Sequence, residues 1–453
     1  MSRLDPFKLT LSEVSRLIHS NELSPSELLE SLLQRIDELE PRLEAWVSLD
    51  RQNAKKIADE YSEEAEKGYF RGPLHGIPVG IKDIYFTAGM KTTAGSKILA
   101  DFIPSYDATA IARLKETGAI ILGKTETTEF ALFDPAPTRN PWNTAHTPGG
   151  SSSGSAAAVS SGMCPAALGS QTGGSTIRPA AYCGIVGLKP TCGRISRYGL
   201  IPVSWSLDHV GIFTRTVEDA AFLLEILAGH DSKDPTSSSQ PVSPYRKAAE
   251  SSSPPRLGLL KEFFWDNADD QVKKNIEKTA EILGNAGAEI TQTPLPKCFN
   301  VADSARRIIM ETEIAAYHEE TFRNHMIDYR PFLRHSIASG LLIPAVSYLK
   351  AQRIRGQYIR EISASLRRFD CFLTPATTTP PLKGLESTGD PAFNWPWSFC
   401  GFPSITVPSG VTDNSLPLGI QLVGRPFDEE RVLNAASWCE KVIGFGHEPH
   451  DPK

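Results

Sequence analysis

The chain has 453 residues with 47 Lys+Arg against 53 Asp+Glu, a net charge of −6, with 40 % hydrophobic and 22 % charged residues. That length supports a large core, and this composition excludes a disordered chain. The absence of any basic block argues against a nucleic-acid surface, and no apolar run approaches the length of a membrane span.

Met1-Ser-Arg-Leu-Asp-Pro6 carries no apolar leader, so no signal peptide is expected and the expected compartment is the cytoplasm. Seven scattered cysteines without a C-x-x-C pair fit buried thiols in a reducing compartment, and the ten histidines show no metal-ligand spacing. Ser24-Pro-Ser-Glu27 reads as a capping box with proline at the first helical position. It opens a helix with Leu28, Leu29, Leu32, Leu33 and Ile36 on one face. Residues 1–66 thus form an N-terminal helical layer, either packed on the core, closing over it as a lid, or offering a surface for a homodimer.

Next comes His75-Gly-Ile-Pro-Val-Gly-Ile-Lys-Asp83. It alternates as a strand, with Ile77, Val79 and Ile81 on one face and Pro78, Gly80 and Lys82 on the other. Lys82 stands at the C-terminal end. Solvated, it is an ordinary surface lysine; buried, it loses its charge and becomes a competent general base.

Gly149-Gly-Ser-Ser-Ser-Gly-Ser155 leads into an alanine run that starts a helix. Alone it is compatible with a flexible linker or with a tight loop at a helix N-terminus, and it matches neither phosphate-loop pattern. Gln171-Thr-Gly-Gly-Ser175 follows, with a second Gly-Gly-Ser 24 residues after the first. It is an ordinary glycine turn or an oxyanion-binding turn with Ser175 as nucleophile. A serine needs a base within reach, and no histidine motif offers one. A lysine acting through another serine is the remaining option, and it needs neither metal nor cofactor.

Strands are expected near 77–82, 119–122, 184–188, 257–260, 371–374, 404–407 and 418–423. Helices are expected near 108–117, 155–162, 216–229, 269–286, 342–368 and 428–442. This alternation predicts an α/β sandwich around a mixed sheet. Residues 67–230 form the core segment and 231–256, rich in serine and proline, an exposed loop. Residues 257–453 form the C-terminal half. The less patterned region from 300 to 400 is the expected seat of specificity. There Phe393, Trp395, Trp397, Phe399 and Phe402 are either core or pocket walls, and Asn394 and Trp397 are candidates to face a substrate.

GIPVGIKD (76–83), GAIILGKTETTEFA (118–131), TPGGSSSGSAAAV (147–159), QTGGSTIRPAAYCGIVGLKPT (171–191), SLDHVGIFTRTVEDAA (206–221) and LGIQLVGRPFDEERVL (418–433) stand in one chain. With them the sequence resembles the amidase signature family of serine hydrolases over roughly residues 10 to 440. The resemblance implies one large α/β/α domain over 1–453. It also implies a catalytic Lys82, a bridging Ser151 on a cis peptide and a nucleophilic Ser175. The N–H groups of Thr172, Gly173, Gly174 and Ser175 would form the oxyanion site. The implied reaction is hydrolysis of a small-molecule amide, with carbamates and aryl esters within reach of the same acyl-enzyme chemistry.

Two residues depart from the commonest pattern: Gln171 replaces an aspartate, and Arg178 stands three rather than two residues after the nucleophile. The variant resembles the malonamidase-type branch, where that arginine meets a substrate carboxylate. Arg178 is either such an anchor or a structural arginine. Ser196–Leu200 and TRTVEDAA also resemble the A subunit of tRNA-dependent amidotransferases, which implies glutamine as nitrogen donor and partner subunits.

Overall fold

The computed structural model describes residues 5–250 and 253–449. Met1–Leu4, where a leader would begin, lie outside the described residues, as do Ser251 and Ser252 of the Ser/Pro-rich stretch.

Among the described residues eleven strands build one sheet: β1 (Trp46–Leu49), β2 (Pro78–Lys82), β3 (Ile120–Thr125), β4 (Ala166–Gln171), β5 (Val186–Lys189), β6 (His209–Thr214), β7 (Arg256–Leu259), β8 (Glu289–Gln292), β9 (Cys371–Pro375), β10 (Ser404–Val411) and β11 (Pro417–Val423). Their spatial order is β1-β3-β2-β4-β6-β5-β10-β11-β9-β7-β8. The sheet is mixed, as expected. β2 runs parallel to both β3 and β4, β7 runs parallel to β8 and β9, and the middle of the sheet is antiparallel. Helices Thr109–Glu116 and Ser153–Ser160 are the crossovers that make β2, β3 and β4 parallel neighbours.

The alternation read in β2 holds in space. Val79 and Ile81 join the apolar cluster containing Ile121 and Leu168. Gly80 points to the other face, within reach of Trp46 and Ala167, where the alanines of helix Ser153–Ser160 pack.

All seven expected strands form, and four more do that the pattern does not mark. β4 is Ala-Ala-Leu-Gly-Ser-Gln, a composition poor in strand formers. Small residues are required there, since a Cβ on Gly169 would stand 2.7 Å from Ser152 Oγ. β6 is buried on both faces and so does not alternate. β8 is a short edge strand. β1 corrects the N-terminal layer: it is not purely helical but contributes an antiparallel edge strand to the sheet beside β3.

The capping box at Ser24 forms with both of its hydrogen bonds, and Leu28, Leu29, Leu32, Leu33 and Ile36 are all buried. That face is spent on the core, so it is not a surface for a dimer. The Ser/Pro-rich segment is also not wholly an exposed loop. Helix Tyr245–Ala249 buries Tyr245 and Ala249, and Ser437 donates to the Ala249 carbonyl at 2.5 Å.

The region from 300 to 400 is more regular than its sequence suggests. It opens with the 27-residue helix Phe299–His325, followed by Pro331–Leu341 and Ala345–Leu366. The first two pack closely at Gly340, where a methyl group would overlap the Glu311 carbonyl oxygen and crowd Ala315 Cβ at 2.7 Å. Gly340→Ala is expected to cost about 1–3 kcal/mol by forcing these helices apart. Urea unfolding of the variant checks this; an unchanged midpoint would contradict the close packing.

Candidate active site

Lys82 ends β2 and is fully buried. Its Nζ lies 2.7 Å from Ser151 Oγ and 2.9 Å from Ser170 Oγ. The bulk-exposed alternative for this lysine is therefore excluded. Among the described residues no carboxylate reaches ion-pair distance of Lys82. Burial drives its pKa well below the ordinary lysine range, outweighing the opposing charge of Asp208.

Two other lysines are equally buried and make the contrast. Lys124 Nζ donates to the Tyr85 carbonyl at 2.5 Å and to the Thr92 hydroxyl at 2.9 Å, and faces Asp83 at 3.5 Å. Lys189 Nζ donates to the carbonyls of Phe402 and Pro190. Burial lowers both to about 8. A carbonyl or carboxylate only accepts and so suits an ammonium, and Lys124 and Lys189 each meet at least one; among the described residues Lys82 meets hydroxyls alone, which also donate and so suit a neutral amine with a free lone pair. Lys82 is the one of the three arranged to accept a proton.

Ser151 follows a cis Gly150–Ser151 peptide bond, as the resemblance implies. It sits just ahead of helix Ser153–Ser160, whose first turn is held by the Ser153 hydroxyl donating to the Gly149 carbonyl at 2.8 Å. Ser152 and Ser155 are also spent locally, on the carbonyls of Ser170 and Leu168. The serine-rich run is thus a packed loop and not a linker.

Ser175 lies on the turn between β4 and helix Ile177–Tyr182 and is 8 % exposed. Its hydroxyl makes no hydrogen bond among the described residues. The turn is clamped by Gln171, whose Oε1 accepts from the N–H groups of Thr176 and Ile177 at 2.9 and 3.0 Å. The Gln171 amide Nε2 donates to Ser398 at 3.1 Å, and Ser398 donates to the Gly173 carbonyl at 3.2 Å. Gln171, where the commonest pattern has aspartate, thus both clamps the turn and ties it to Ser398. The N–H groups of Gly173, Gly174 and Ser175 make no hydrogen bond among the described residues, as an anion-binding turn requires. Gly174 must be glycine, because a Cβ there would stand 2.6 Å from Asn394 Oδ1.

Thr172 contributes through its hydroxyl, which donates to Asp208 Oδ1 at 2.5 Å. Asp208 Oδ2 accepts from the N–H groups of Val203 and Ser204. Burial raises this carboxyl to about 6 despite those bonds. Asp208 stands in the quoted SLDHVG motif without a role assigned to it; a lone acid beside a histidine in an otherwise apolar run was the available signal. Ser170 escapes sequence reasoning as well, since one hydroxyl in a Gly/Ser-rich turn carries no pattern.

Arg178 is 2 % exposed, and burial lowers it to about 10. Its Nη2 donates to the Gly150 carbonyl at 2.7 Å and to Thr388 Oγ1 at 3.1 Å. It thus ties the Ser175 helix to the Ser151 loop. Its Nε and Nη1 are buried without a partner among the described residues, and it lines the same small cavity as Ser175, with Arg306 and Met310 from helix Phe299–His325. The structural reading of Arg178 thus holds for its Nη2. Trp397 does not face this cavity: it is fully buried and stacks on Phe264. Phe393, Phe399 and Phe402 are core too, and Trp395 is 5 % exposed. Asn394, by contrast, lies against the Ser175 turn, with Nδ2 donating to the Ala376 carbonyl.

The amidase family model matches residues 27–433. The A subunit of the glutamyl-tRNA(Gln) amidotransferase from Carboxydothermus hydrogenoformans is 38 % identical over 98 % of this chain and 99 % of its own length. The native peptide amidase of Stenotrophomonas maltophilia superposes with a TM-score of 0.86 at 32 % identity, over 98 % of this chain and 99 % of that one. A structure described as a vestigial protein complex that reveals the origins of an s-triazine catabolic enzyme gives 0.90 at 29 % identity, over 98 % and 100 %. Among the described residues no helix is long and apolar enough to cross a membrane. A signature match along nine-tenths of its length, near-complete relatives and shared architecture together place this chain in the amidase family.

Proposed function

We propose that the protein hydrolyses small-molecule amides through an acyl-enzyme on Ser175, with Lys82 and Ser151 as the proton relay. The observation that carries this is the fully buried Lys82 Nζ at 2.7 Å from Ser151 Oγ, without a carboxylate partner among the described residues. Lys82 takes the Ser151 proton as Ser151 takes that of Ser175. The Ser175 oxygen bonds to the amide carbon, and the N–H groups of Thr172, Gly173, Gly174 and Ser175 meet the developing oxyanion. The proton returns through Ser151 to the leaving nitrogen as the C–N bond breaks. Water then attacks the acyl-enzyme by the same relay, releasing the acid and restoring Ser175. Removing one oxyanion donor of this kind typically costs about 3 kcal/mol of barrier. Arg178 is proposed as a contact for the acyl group, and carbamates and aryl esters are proposed as further substrates of the same chemistry. We place the activity in the cytoplasm, with a homodimer as the proposed assembly.

Release of ammonia or amine from a panel of primary amides, anilides and carbamates tests the reading. Ser151→Ala is expected to lower kcat by about 100-fold or more yet leave measurable turnover, because one bridging water can stand in for one hydroxyl. Wild-type activity in that variant would contradict the relay.

A second reading is the A subunit of a tRNA-dependent amidotransferase, releasing ammonia from glutamine beside partner chains. The identity of 36–38 % to several such proteins favours it. The first half-reaction is the same in both. Obligate co-purification with partner chains supports the second reading; a soluble homo-oligomer active alone supports the first.

A further inference from the structure

Lys82 has to meet two opposed demands. It must be neutral at rest to accept a proton, and it must then hold that proton as an ammonium until the leaving nitrogen takes it. A carboxylate at ion-pair distance would fix the ammonium from the start. With no negative charge in range, the buried amine would be too weak a base. Among the described residues Asp208 is the one acid whose charge opposes the desolvation of Lys82.

Asp208 stands just ahead of β6, beside the C-terminal end of β4, where the register pairs Ser170 with Val210 and Gln171 with His209. Ser170 is the hydroxyl that Lys82 Nζ meets at 2.9 Å. Two residues on, the Thr172 hydroxyl meets Asp208 Oδ1 at 2.5 Å. Asp208 is 5 % exposed, and the Val203 and Ser204 N–H groups anchor its Oδ2 at 2.9 and 3.0 Å. The other ionisable groups around it are engaged elsewhere or uncharged. Arg197 donates Nη1 to the Asp208 backbone carbonyl at 3.0 Å and faces the carboxylate of Asp234 at 4.0 Å. With Lys233 these two line the groove on the outer side of Asp208. Glu313 takes the Ser204 and Ser206 hydroxyls. Burial keeps the Tyr85 phenol and the His209 imidazole uncharged. A buried carboxylate without a cation at ion-pair distance is costly, and its three hydrogen bonds all point toward the oxyanion turn or fix the carboxylate beside it.

Resting on the amidase reading above, we propose that Asp208 is a positioning residue of the site: its carboxylate fixes Thr172 at the head of the oxyanion turn, and its charge steadies the ammonium that forms on Lys82 when the relay takes the Ser175 proton. Both acts serve the same stage of the reaction, when oxyanion and ammonium exist together. The proton balance is unchanged. The proton moves from Ser175 through Ser151 to Lys82 and back to the leaving nitrogen, and Asp208 neither gives nor takes one.

The test follows kcat against pH for one amide of the panel in the wild type, Asp208→Asn, Thr172→Val and Thr172→Ser. Asparagine keeps the shape and an acceptor for the Val203 and Ser204 N–H groups but not the charge. Without its counter-charge the Lys82 ammonium is less stable and the amine is a weaker base. Asp208→Asn is therefore expected to lower the kcat plateau by about 10- to 100-fold, the worth of a charged hydrogen bond, and to move the acid limb to lower pH by about one unit. A merely structural loss would lower the plateau and leave the limb in place. Thr172→Val is expected to lower kcat by about 10-fold with KM and melting temperature nearly unchanged, while Thr172→Ser, which keeps the hydroxyl, stays within about threefold of the wild type. A wild-type acid limb in Asp208→Asn, or a wild-type kcat in Thr172→Val, overturns the inference while leaving the amidase reading standing. If Asp208→Asn does not fold, the two Thr172 variants still decide, since equal losses in valine and serine also overturn it. Failure of the wild type to hydrolyse any of the amide panel overturns that reading, and this inference with it.

Discussion

Ser175→Ala is expected to lower kcat for every amide substrate by about 10,000-fold or more, with substrate binding nearly unchanged. The variant loses the only atom proposed to bond to the acyl carbon. It keeps the Gly173 and Gly174 N–H groups and Arg178, which are proposed to hold the substrate. The loss is expected to come without a loss of fold. The Ser175 hydroxyl makes no hydrogen bond among the described residues, so its removal leaves no buried partner unsatisfied, and stability should move by no more than about 0.5 kcal/mol. Steady-state kinetics with thermal melts separates the two. A variant that is inactive because it is unfolded, or one that stays active, would contradict the assignment.

Lys82→Met is expected to lower kcat by about 100- to 10,000-fold, the usual worth of a positioned general base. The wild-type rate should fall on the acid side, since the base is useless once protonated, and the variant's residual rate should lack that limb. Stability is expected to move the other way. The folded pKa of Lys82 lies below its unfolded value because burial penalises the ammonium. Between those two values the unfolded chain holds a proton that the native chain does not. Native stability therefore rises with pH through that window, up to about 10.4, and is reduced below it. Methionine removes the titration. At pH 7 the variant should melt higher than the wild type, offset in part by the Ser151 and Ser170 hydroxyls losing their partner, and the slope of melting temperature against pH should flatten. Calorimetry from pH 6 to 9 measures this; a lower melting temperature with the wild-type slope would show that Lys82 is charged in the fold.

The sequence was most legible where local pattern and final environment agree. β2 alternates because its two faces meet different clusters, and the Ser24 capping box is a purely local device. The Gly/Ser turns were legible as loops, and the family resemblance located Ser151 and Ser175 on them. Legibility fails where tertiary packing overrides propensity. β4 is a central strand made of alanine, glycine and serine because helix Ser153–Ser160 and Phe213 leave no room for larger side chains. Helix Phe299–His325 carries buried Arg306, Glu313 and His318 among its apolar positions, so its amphipathic pattern is blurred. Two of these residues hold or line the site: Glu313 receives Ser204, and Arg306 borders the cavity. Asp208 was visible as a letter but not as a role, since nothing local shows that it will receive Thr172 from 36 residues away.

The central claim is that a neutral, buried lysine activates Ser175 through Ser151, and trapping the nucleophile tests it most directly. The protein is incubated with a fluorophosphonate across a pH series, and the adduct is located by peptide mass mapping. The account predicts a single adduct on the peptide containing Ser175, formed at a rate that rises with pH through one ionisation, with that rise absent in Lys82→Met. An adduct elsewhere, or a Lys82→Met variant labelled at the wild-type rate and with the wild-type pH profile, would contradict it.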